Sequence, residues 1–439
     1  MKKAHTDILR LAVPSIVSNI TVPLLGMIDL AITGHLGNQS FIGAIAVGSM
    51  LFNIMYWMFG FLRMGTSGLT AQAFGETNKE KITETLYQGI TVSVAISLLL
   101  LVLSPLIFMG AMEFIAPSPE VRELVGKYFR ICVAGIPASL LLFVFNGWYI
   151  GMQNTRIPMA IAISQNILNI FASLFFVYGI GMELEGIALG TVIAQWGGAL
   201  ASMFLLRKRY GEYVRQSYSI KKTILNSNLS RYLLVNRDIF LRTLCLIGIH
   251  FYFIAAGAKG GDTILAVNAV FMQFFTLYSY FIDGMAYAGE ALVGKAVGAR
   301  DKEEYGKTLR GLFLLSGFLT FLFTLVYAFF NADLLTFFTD NEEVLKTSND
   351  YLLWTLFFPI CGMAAFIWDG VYIGATLPRY MLLSTLSGII VFFALYLALY
   401  PKFDNHALWL AFLSNLVVRG VILTVFKDKV ERRVEQGFK

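Results

Sequence analysis

The sequence is poor in charged residues and cysteine, and each shortage excludes a class of protein. Only 14% of its 439 residues are charged, whereas a soluble domain carries about 25%. Its three cysteines stand singly inside apolar stretches, so neither a disulfide framework nor a metal-binding spacing is visible. The chain also contains no GxxxxGK[ST] phosphate-binding loop, so an energy source other than nucleotide hydrolysis is expected.

The chain is rich instead in long apolar runs. Hydrophobic residues make up 57% of it, and runs that reach the ~20 apolar residues of a membrane-spanning helix recur along its whole length. We predict an all-α integral membrane protein, because a segment in lipid must satisfy its backbone hydrogen bonds internally. The approximate cores of the twelve predicted spans are residues 9–33, 42–72, 86–112, 122–150, 157–180, 186–206, 233–257, 264–293, 309–331, 346–373, 379–400 and 406–426.

Lysine and arginine are distributed unevenly between the predicted loops. With the amino terminus in the cytoplasm, the inner loops and tails hold 24 of the 34 basic residues, and the outer loops hold six. Basic residues collect on the cytoplasmic side of membrane proteins. We therefore expect both termini to be cytoplasmic, and the net charge of +6 requires no nucleic-acid partner.

Three stretches of the first half resemble stretches of the second half at one constant spacing, called here the repeat offset. The paired stretches begin at Leu36 and Lys259, at Phe74 and Val297, and at Asn146 and Asp369. The third pair reads NGWYIGMQNTR and DGVYIGATLPR, and the difference in numbering is 369 − 146 = 223, as in the other two pairs. The offset drifts by about two or three residues in the last two spans of each half. A gapless offset across four spans indicates an internal duplication.

The duplication predicts the architecture of a secondary transporter. Six spans are an even number, so both halves have the same orientation and form parallel repeats. Transporters of this kind bind substrate between or within the repeats and move the lobes around the site. The expected parts are an amino-terminal lobe at 1–210, a basic cytoplasmic linker at 211–230, a carboxy-terminal lobe at 231–427 and a cytoplasmic tail at 428–439.

Several long motifs resemble those of the MATE family of multidrug and toxic compound extrusion transporters, in its DinF-like branch. They are Arg10–Pro14 (RLAVP), Pro23–Asp29 (PLLGMID), Gly34–Gly37 (GHLG), Phe61–Gly75 (FLRM and GLTAQAFG) and Asp283–Ala291. The resemblance covers essentially the whole chain. It implies a V-shaped antiporter of twelve helices that exports cationic or amphipathic drugs in exchange for protons or sodium.

The first span, Leu11–Gly34, carries one carboxylate, Asp29. An acid inside a membrane span is costly and indicates a functional site. Pro23 lacks an N–H group and can bend the helix before the acid. Asp29 follows Arg10 by 19 residues, about 28 Å of helix, which places it in the outer half of the bilayer. The structural alternative is an acid at headgroup level, whereas the resemblance implies a coupling aspartate that exchanges a proton.

Five polar residues on the fifth and sixth spans are the predicted partners of this acid. Asn166, Asn169 and Ser173 share one helical face, and Thr191 and Gln195 are spaced i, i+4. Small polar residues also serve as ordinary contacts between membrane helices. The resemblance points to Asn169, Ser173 and Thr191 as the polar cluster of the family. Relatives often carry aspartate where Ser173 stands, so sodium is disfavoured here and protons are favoured.

The second half contains its own candidates for a cation or substrate site. They are Asp283, Tyr287 and Glu290 on the eighth span and Asp369 on the tenth. Some branches of the family place a cation site around an acid on the tenth span. The structural alternative is neutralisation by nearby bases, Lys295 for Glu290 and Arg379 for Asp369. No metal site and no organic cofactor are expected.

The sequence thus predicts a monomeric, proton-coupled drug exporter of the bacterial inner membrane, with the bilayer and drug-like molecules as its partners. One alternative is a flippase for lipid-linked precursors or polysaccharides, although few basic residues lie inside the spans to bind phosphate. A membrane enzyme acting on lipid is another, but the four histidines are scattered and form no catalytic cluster. A channel would conduct ions without exchange.

Overall fold

The structure, a computed structural model, describes residues 2–34, 39–214 and 227–436. In these ranges the regular structure is entirely helical. Eleven helices there are long and apolar enough to cross a membrane. One of them, Pro378–Val425, contains two spans, because Asp404 breaks its geometry with φ of 43° and ψ of −124°. The prediction of twelve spans in an all-α protein is therefore confirmed.

The described ranges contain sixteen helices, numbered α1 to α16 in chain order. The first eight are α1 (Lys2–Gly34), α2 (Gln39–Phe59), α3 (Phe61–Gly75), α4 (Lys79–Ile115), α5 (Pro119–Cys132), α6 (Ile136–Gly151), α7 (Arg156–Leu174) and α8 (Leu184–Arg209). The other eight are α9 (Gly211–Val214), α10 (Ser227–Ala258), α11 (Asp262–Ala299), α12 (Lys302–Phe338), α13 (Glu342–Ser348), α14 (Leu353–Gly374), α15 (Pro378–Val425) and α16 (Lys427–Gln436). A 3₁₀ turn joins α5 to α6, and a π turn extends α7.

The outer faces of the long helices are apolar. Val102 and Phe114 on α4 are 76% and 89% exposed, and Phe329 and Phe337 on α12 are both 75% exposed. Exposed apolar surface of this extent marks an interaction surface rather than a water-facing one. In helices of membrane-spanning length, it is the surface that contacts lipid.

The internal duplication is visible in the helix boundaries. Helices α4 and α12 both contain 37 residues, and their first residues, Lys79 and Lys302, are separated by the repeat offset. Asn78 and Asp301 cap them by accepting a hydrogen bond from the backbone N–H three residues later, at 3.0 and 2.8 Å. The residues before the caps both have φ of 55°. Equivalent sequences thus fold into equivalent helix starts.

The repeat also fixes one close helix contact in each half. A Cβ atom at Gly147 would overlap the backbone of Arg63, and one at Gly370 would overlap the backbone of Ala286. The two contacts are related by the repeat offset, since both members of each pair shift together. Glycine is needed here because α6 lies directly on α3 and α14 lies directly on α11.

The chain forms two compact units. The first unit is Val17–Leu233, and the second unit is Leu234–Lys439 together with Met1–Ile16. Inside the second unit, the start of α1 packs on α11, where a Cβ atom at Gly284 would meet the Ile16 nitrogen at 2.9 Å. The lobe boundaries predicted from the sequence stay a prediction, and residues 215–226 of the predicted linker lie outside the described residues.

Candidate functional site

Asp29 lies near the end of α1, in the part of this helix that belongs to the first unit. The side chain is 8% exposed. Within the described residues its Oδ1 atom has no hydrogen-bond partner. Thr33 donates to the Asp29 backbone carbonyl at 2.6 Å and not to the carboxylate. The carboxylate is therefore buried without a counter-ion from the described chain.

Two side chains beside Asp29 were not predicted from the sequence. Tyr128 and Cys132 on α5 lie within electrostatic range of the carboxylate and hydrogen-bond to each other. The Tyr128 hydroxyl also bonds to Ser49 on α2. The ring packs on Gly48, where a Cβ atom would come within 2.6 Å of Cδ1. A Tyr–Cys pair spaced i, i+4 on a predicted span was the available signal, and by itself it is weak.

Three of the five predicted polar partners form a cluster between α7 and α8. Asn169 Nδ2 donates to Thr191 Oγ1 at 3.1 Å, and Thr191 Oγ1 donates to the Ile187 carbonyl at 3.1 Å. Ser173 is fully buried against Gly190, where a Cβ atom would lie 2.8 Å from the Ser173 nitrogen. In the described part, Asn169 Oδ1 and Ser173 Oγ have no hydrogen-bond partner. Their free oxygens are neutral acceptors.

The other two predicted partners bond elsewhere in the first unit. Asn166 Nδ2 donates to the Thr21 carbonyl of α1 at 2.7 Å, two turns before Asp29. Gln195 Nε2 donates to the Tyr56 hydroxyl at 3.1 Å. Among the described residues, none of the five predicted partners hydrogen-bonds to the Asp29 carboxylate. The link from α7 to α1 runs through backbone instead.

In the second unit, aromatic residues stand at the positions 223 residues after three candidates of the first unit. Three of its residues stand one repeat offset after Asp29, Asn169 and Ser173, namely Tyr252, Phe392 and Tyr396. The Tyr252 ring centroid lies 5.9 Å from that of Phe392 and 5.5 Å from that of Tyr396, and the latter two rings stack at 6.3 Å. This cluster is aromatic and contains no carboxylate, and the side chains of Tyr252 and Tyr396 hydrogen-bond to each other.

Asp369 in α14 binds two arginines of the second unit. Arg242 Nη2 of α10 and Arg419 Nη2 of α15 both donate to its Oδ2 atom, the latter at 2.7 Å. All three side chains are buried. Neutralisation by nearby bases was one of the predicted alternatives, but the predicted partner Arg379 is wrong, because that side chain is exposed.

The remaining candidates of the second unit are spread along α11. Asp283 is half-buried and within electrostatic range of Arg419. Tyr287 is half-buried as well, and Glu290 is 1% exposed. Glu290 lies where α11 meets α14, since a Cβ atom at Gly374 would come within 2.6 Å of the Glu290 carbonyl oxygen. In the described ranges no group of three or more His, Cys, Asp or Glu side chains could hold a metal ion.

Comparisons with known proteins agree with this fold. The MatE family model matches residues 14–175 and 239–397. DNA damage-inducible protein F of Escherichia coli is 36% identical over 94% of this chain and 90% of its own length. A protein of Photorhabdus laumondii named probable multidrug resistance protein NorM is 24% identical over 78% of this chain and 76% of its own. A solved structure of MATE in the bent conformation superposes with a TM-score of 0.88, at 16% identity, covering 99% of this chain and 96% of that one.

Proposed function

The chain belongs to the MatE family of membrane transporters, and from this membership we propose that it is a proton-coupled antiporter exporting cationic or amphipathic drug-like compounds. Membership makes the chain a transporter rather than an enzyme, as the sequence predicts. The predicted resemblance to the DinF-like branch is confirmed by the Escherichia coli relative. The coupling ion and the substrates are the parts that the proposal adds.

The carboxylate of Asp29 carries the proposal. Burying a charge without a partner is costly, and the described chain offers this carboxylate neither a base nor a hydrogen bond. Two ligands can remove the cost, a proton or a cationic substrate. If they compete for one carboxylate, each lowers the affinity for the other, and this reciprocity is the coupling an antiporter needs.

The polar cluster beside it favours protons over sodium. Asn169, Ser173 and Thr191 supply amide and hydroxyl oxygens only, so Asp29 is the one anionic group that the predicted site contains. A sodium ion there would bind a single carboxylate and neutral oxygens. A proton needs only the carboxylate.

The proposal also covers substrate, location and assembly. The name of the Photorhabdus laumondii relative supports drug-like substrates. We place the protein in the bacterial inner membrane with both termini in the cytoplasm, which the uneven lysine and arginine distribution supports. It works as a monomer with no cofactor, using the proton gradient directly.

A flippase for lipid-linked precursors is less well supported. Such a protein needs free basic groups to hold phosphate. The two arginines buried in the spans of the second unit, Arg242 and Arg419, are both bound to Asp369.

Dye uptake into everted membrane vesicles, whose cytoplasmic face is outside, tests the proposal. An imposed pH gradient should drive transport of ethidium, and a sodium gradient alone should not. Asp29→Asn should abolish pH-driven transport while the protein still inserts. Asp333→Asn, which changes an exposed carboxylate of α12, is the matched control and should transport normally. Wild-type rates in the Asp29→Asn variant would overturn the proposal.

A further inference from the structure

The second unit contains a buried charge cluster that the proposed cycle does not use. Arg242, Asp369 and Arg419 come from α10, α14 and α15 and are 5%, 8% and 5% exposed. Both guanidinium groups bind the same carboxylate oxygen, Asp369 Oδ2. Asp369 Oδ1 and both arginine Nε atoms have no hydrogen-bond partner in the described part of the chain. In the part that the structure describes, the three buried side chains are therefore paired through Asp369 Oδ2 alone.

The charges of this cluster balance. Three groups act electrostatically on Arg419, namely Asp369, Arg242 and Asp283. Two guanidinium groups thus face two carboxylates. Arginine does not lose its proton in proteins, so the positive charges are permanent. A balanced cluster of this kind gives an added cation no net attraction.

The charges also occur together in one half only. The residues one repeat offset before Arg242 and Asp369 are Asn19 and Asn146, both neutral. Acid and base are therefore present as a compensated set in the second half and absent as a set from the first. Asp29 is the opposite case, an acid without a base.

We infer that Arg242 and Arg419 are tethered counter-ions that occupy Asp369 permanently, so that Asp369 contributes no exchangeable cation to the transport cycle. The inference rests on the proposed antiport and adds its stoichiometry. One proton is exchanged per transport cycle, at Asp29. A sodium ion would have to compete with two guanidinium groups that are covalently held in place, and a proton on Asp369 would leave both of them beside a neutral carboxyl group.

The first arm of the test uses the wild-type protein in proteoliposomes. The pH gradient that just stops ethidium flux is measured at several membrane potentials, which gives the number of protons exchanged per dye molecule. We expect one proton, and the same number in Asp369→Asn. Two protons in the wild type that fall to one in Asp369→Asn would overturn the inference.

The second arm measures thermal unfolding of purified protein in detergent and does not depend on transport. Sodium chloride and choline chloride are compared at equal ionic strength and at several pH values. Arg242→Gln leaves one guanidinium for two carboxylates, so sodium or protons should raise its unfolding temperature by about 2–4 °C. Wild type and Arg242→Gln/Asp369→Asn, which keeps one guanidinium for one carboxylate, should show no sodium effect and should share one pH dependence, because both retain Asp29.

Each result in this arm decides the inference. Stabilisation of the wild type by sodium that disappears in Asp369→Asn would overturn it, as would an Arg242→Gln protein indifferent to both sodium and pH. If Arg242→Gln does not fold, Arg419→Gln removes the other guanidinium group bound to Asp369 and is measured in its place. Failure of the wild type to transport ethidium under any gradient would refute the proposed antiport. The unfolding temperatures would still show whether Arg242 and Arg419 exclude cations from Asp369.

Discussion

Lys79 Nζ lies 2.6 Å from a carboxylate oxygen of Glu212. Lys302 and Glu435, which follow them by the repeat offset, form the same ion pair at the same distance of 2.6 Å. Each pair joins the start of one long helix to a segment near the end of the same half. The duplication thus includes an ion pair near the end of each half, which lies outside the sequence motifs that revealed the repeat.

The Lys302–Glu435 pair predicts a small, acid-sensitive contribution to stability. The hydrogen bond and charge of Lys302 lower the pKa of Glu435 from its ordinary value of 4.5. A lowered folded-state pKa contributes stability that is present above pH 4.5 and is lost as the pH falls through the folded-state value. We expect Glu435→Gln to lower the unfolding temperature slightly at pH 7, because exposed ion pairs are weak.

The measurement is thermal unfolding in detergent between pH 3 and pH 7. The difference between wild type and Glu435→Gln should vanish at the acid end. A difference that grows on acidification would contradict this account of the pair.

The contact between Gly48 and Tyr128 predicts that no side chain larger than glycine fits at position 48 without moving the Tyr128 ring. A Cβ atom at Gly48 would lie 2.6 Å from the ring, so Gly48→Ala must push Tyr128 from its place. Overpacking of this kind costs about 1–3 kcal/mol. Gly43→Ala on the same helix is the control, because its Cβ atom would meet Val121 at an ordinary 3.5 Å.

Unfolding by SDS titration measures both variants, and dye efflux shows whether the shifted ring affects transport. Gly48→Ala should be the less stable and the slower of the two. Equal stability and equal efflux rates of Gly48→Ala and Gly43→Ala would show that Tyr128 can move without loss of stability or transport.

The hydrogen bond between Asn169 and Thr191 predicts a shared effect on transport. Asn169→Ala and Thr191→Ala each break the same contact, so each should slow ethidium efflux, and the double variant should be no slower than the worse single one. The cost in stability should be about 1 kcal/mol, the value of one such bond. Losses that simply add would show that the two residues act separately.

Thr324→Ala is the matched control for this pair. The Thr324 hydroxyl donates to the Thr320 carbonyl of its own helix at 2.9 Å, as the Thr191 hydroxyl does to Ile187. Thr324 lies in α12 of the second unit, whereas the polar cluster belongs to the first unit. Its replacement should leave efflux unchanged.

The Asp369 cluster predicts a non-additive effect on stability. Asp369→Asn leaves two buried guanidinium groups without their carboxylate, and breaking a buried pair from one side costs about 3–5 kcal/mol. The double variant Arg242→Gln/Asp369→Asn removes one charge of each sign and should lose less. SDS titration of the single and double variants provides the cycle. A double variant less stable than Asp369→Asn alone would contradict the charge balance.

The sequence predicts the helices well because their cause is local. Each span is a continuous apolar run, and the repeat is a comparison of the chain with itself. The break at Asp404 is local too, and it lies where the last two predicted spans were separated, between residues 400 and 406. Elements of this kind need no knowledge of packing.

The site is less predictable because its contacts join distant parts of the chain. Asp369 pairs with residues 127 and 50 positions away, whereas the predicted partner Arg379 was chosen for its nearness in sequence. Tyr128 reaches Asp29 from another helix, and spacing along α5 does not reveal which side chain that face meets. Asn169 and Thr191 were identified because helical spacing and resemblance agreed.

The aromatic cluster of Tyr252, Phe392 and Tyr396 also bears on how this protein can evolve. An aspartate at position 252 would face the rings of Phe392, Phe393 and Tyr396, with the Tyr396 hydroxyl as the polar group among them. Replacing Tyr252 by aspartate would remove its ring contacts and its hydrogen bond to Tyr396, so an acid at this position would require changes in the residues around it. The two halves of the repeat have thus diverged at this position, so that a proton can be exchanged at position 29 and cannot be exchanged at position 252 without rebuilding its surroundings.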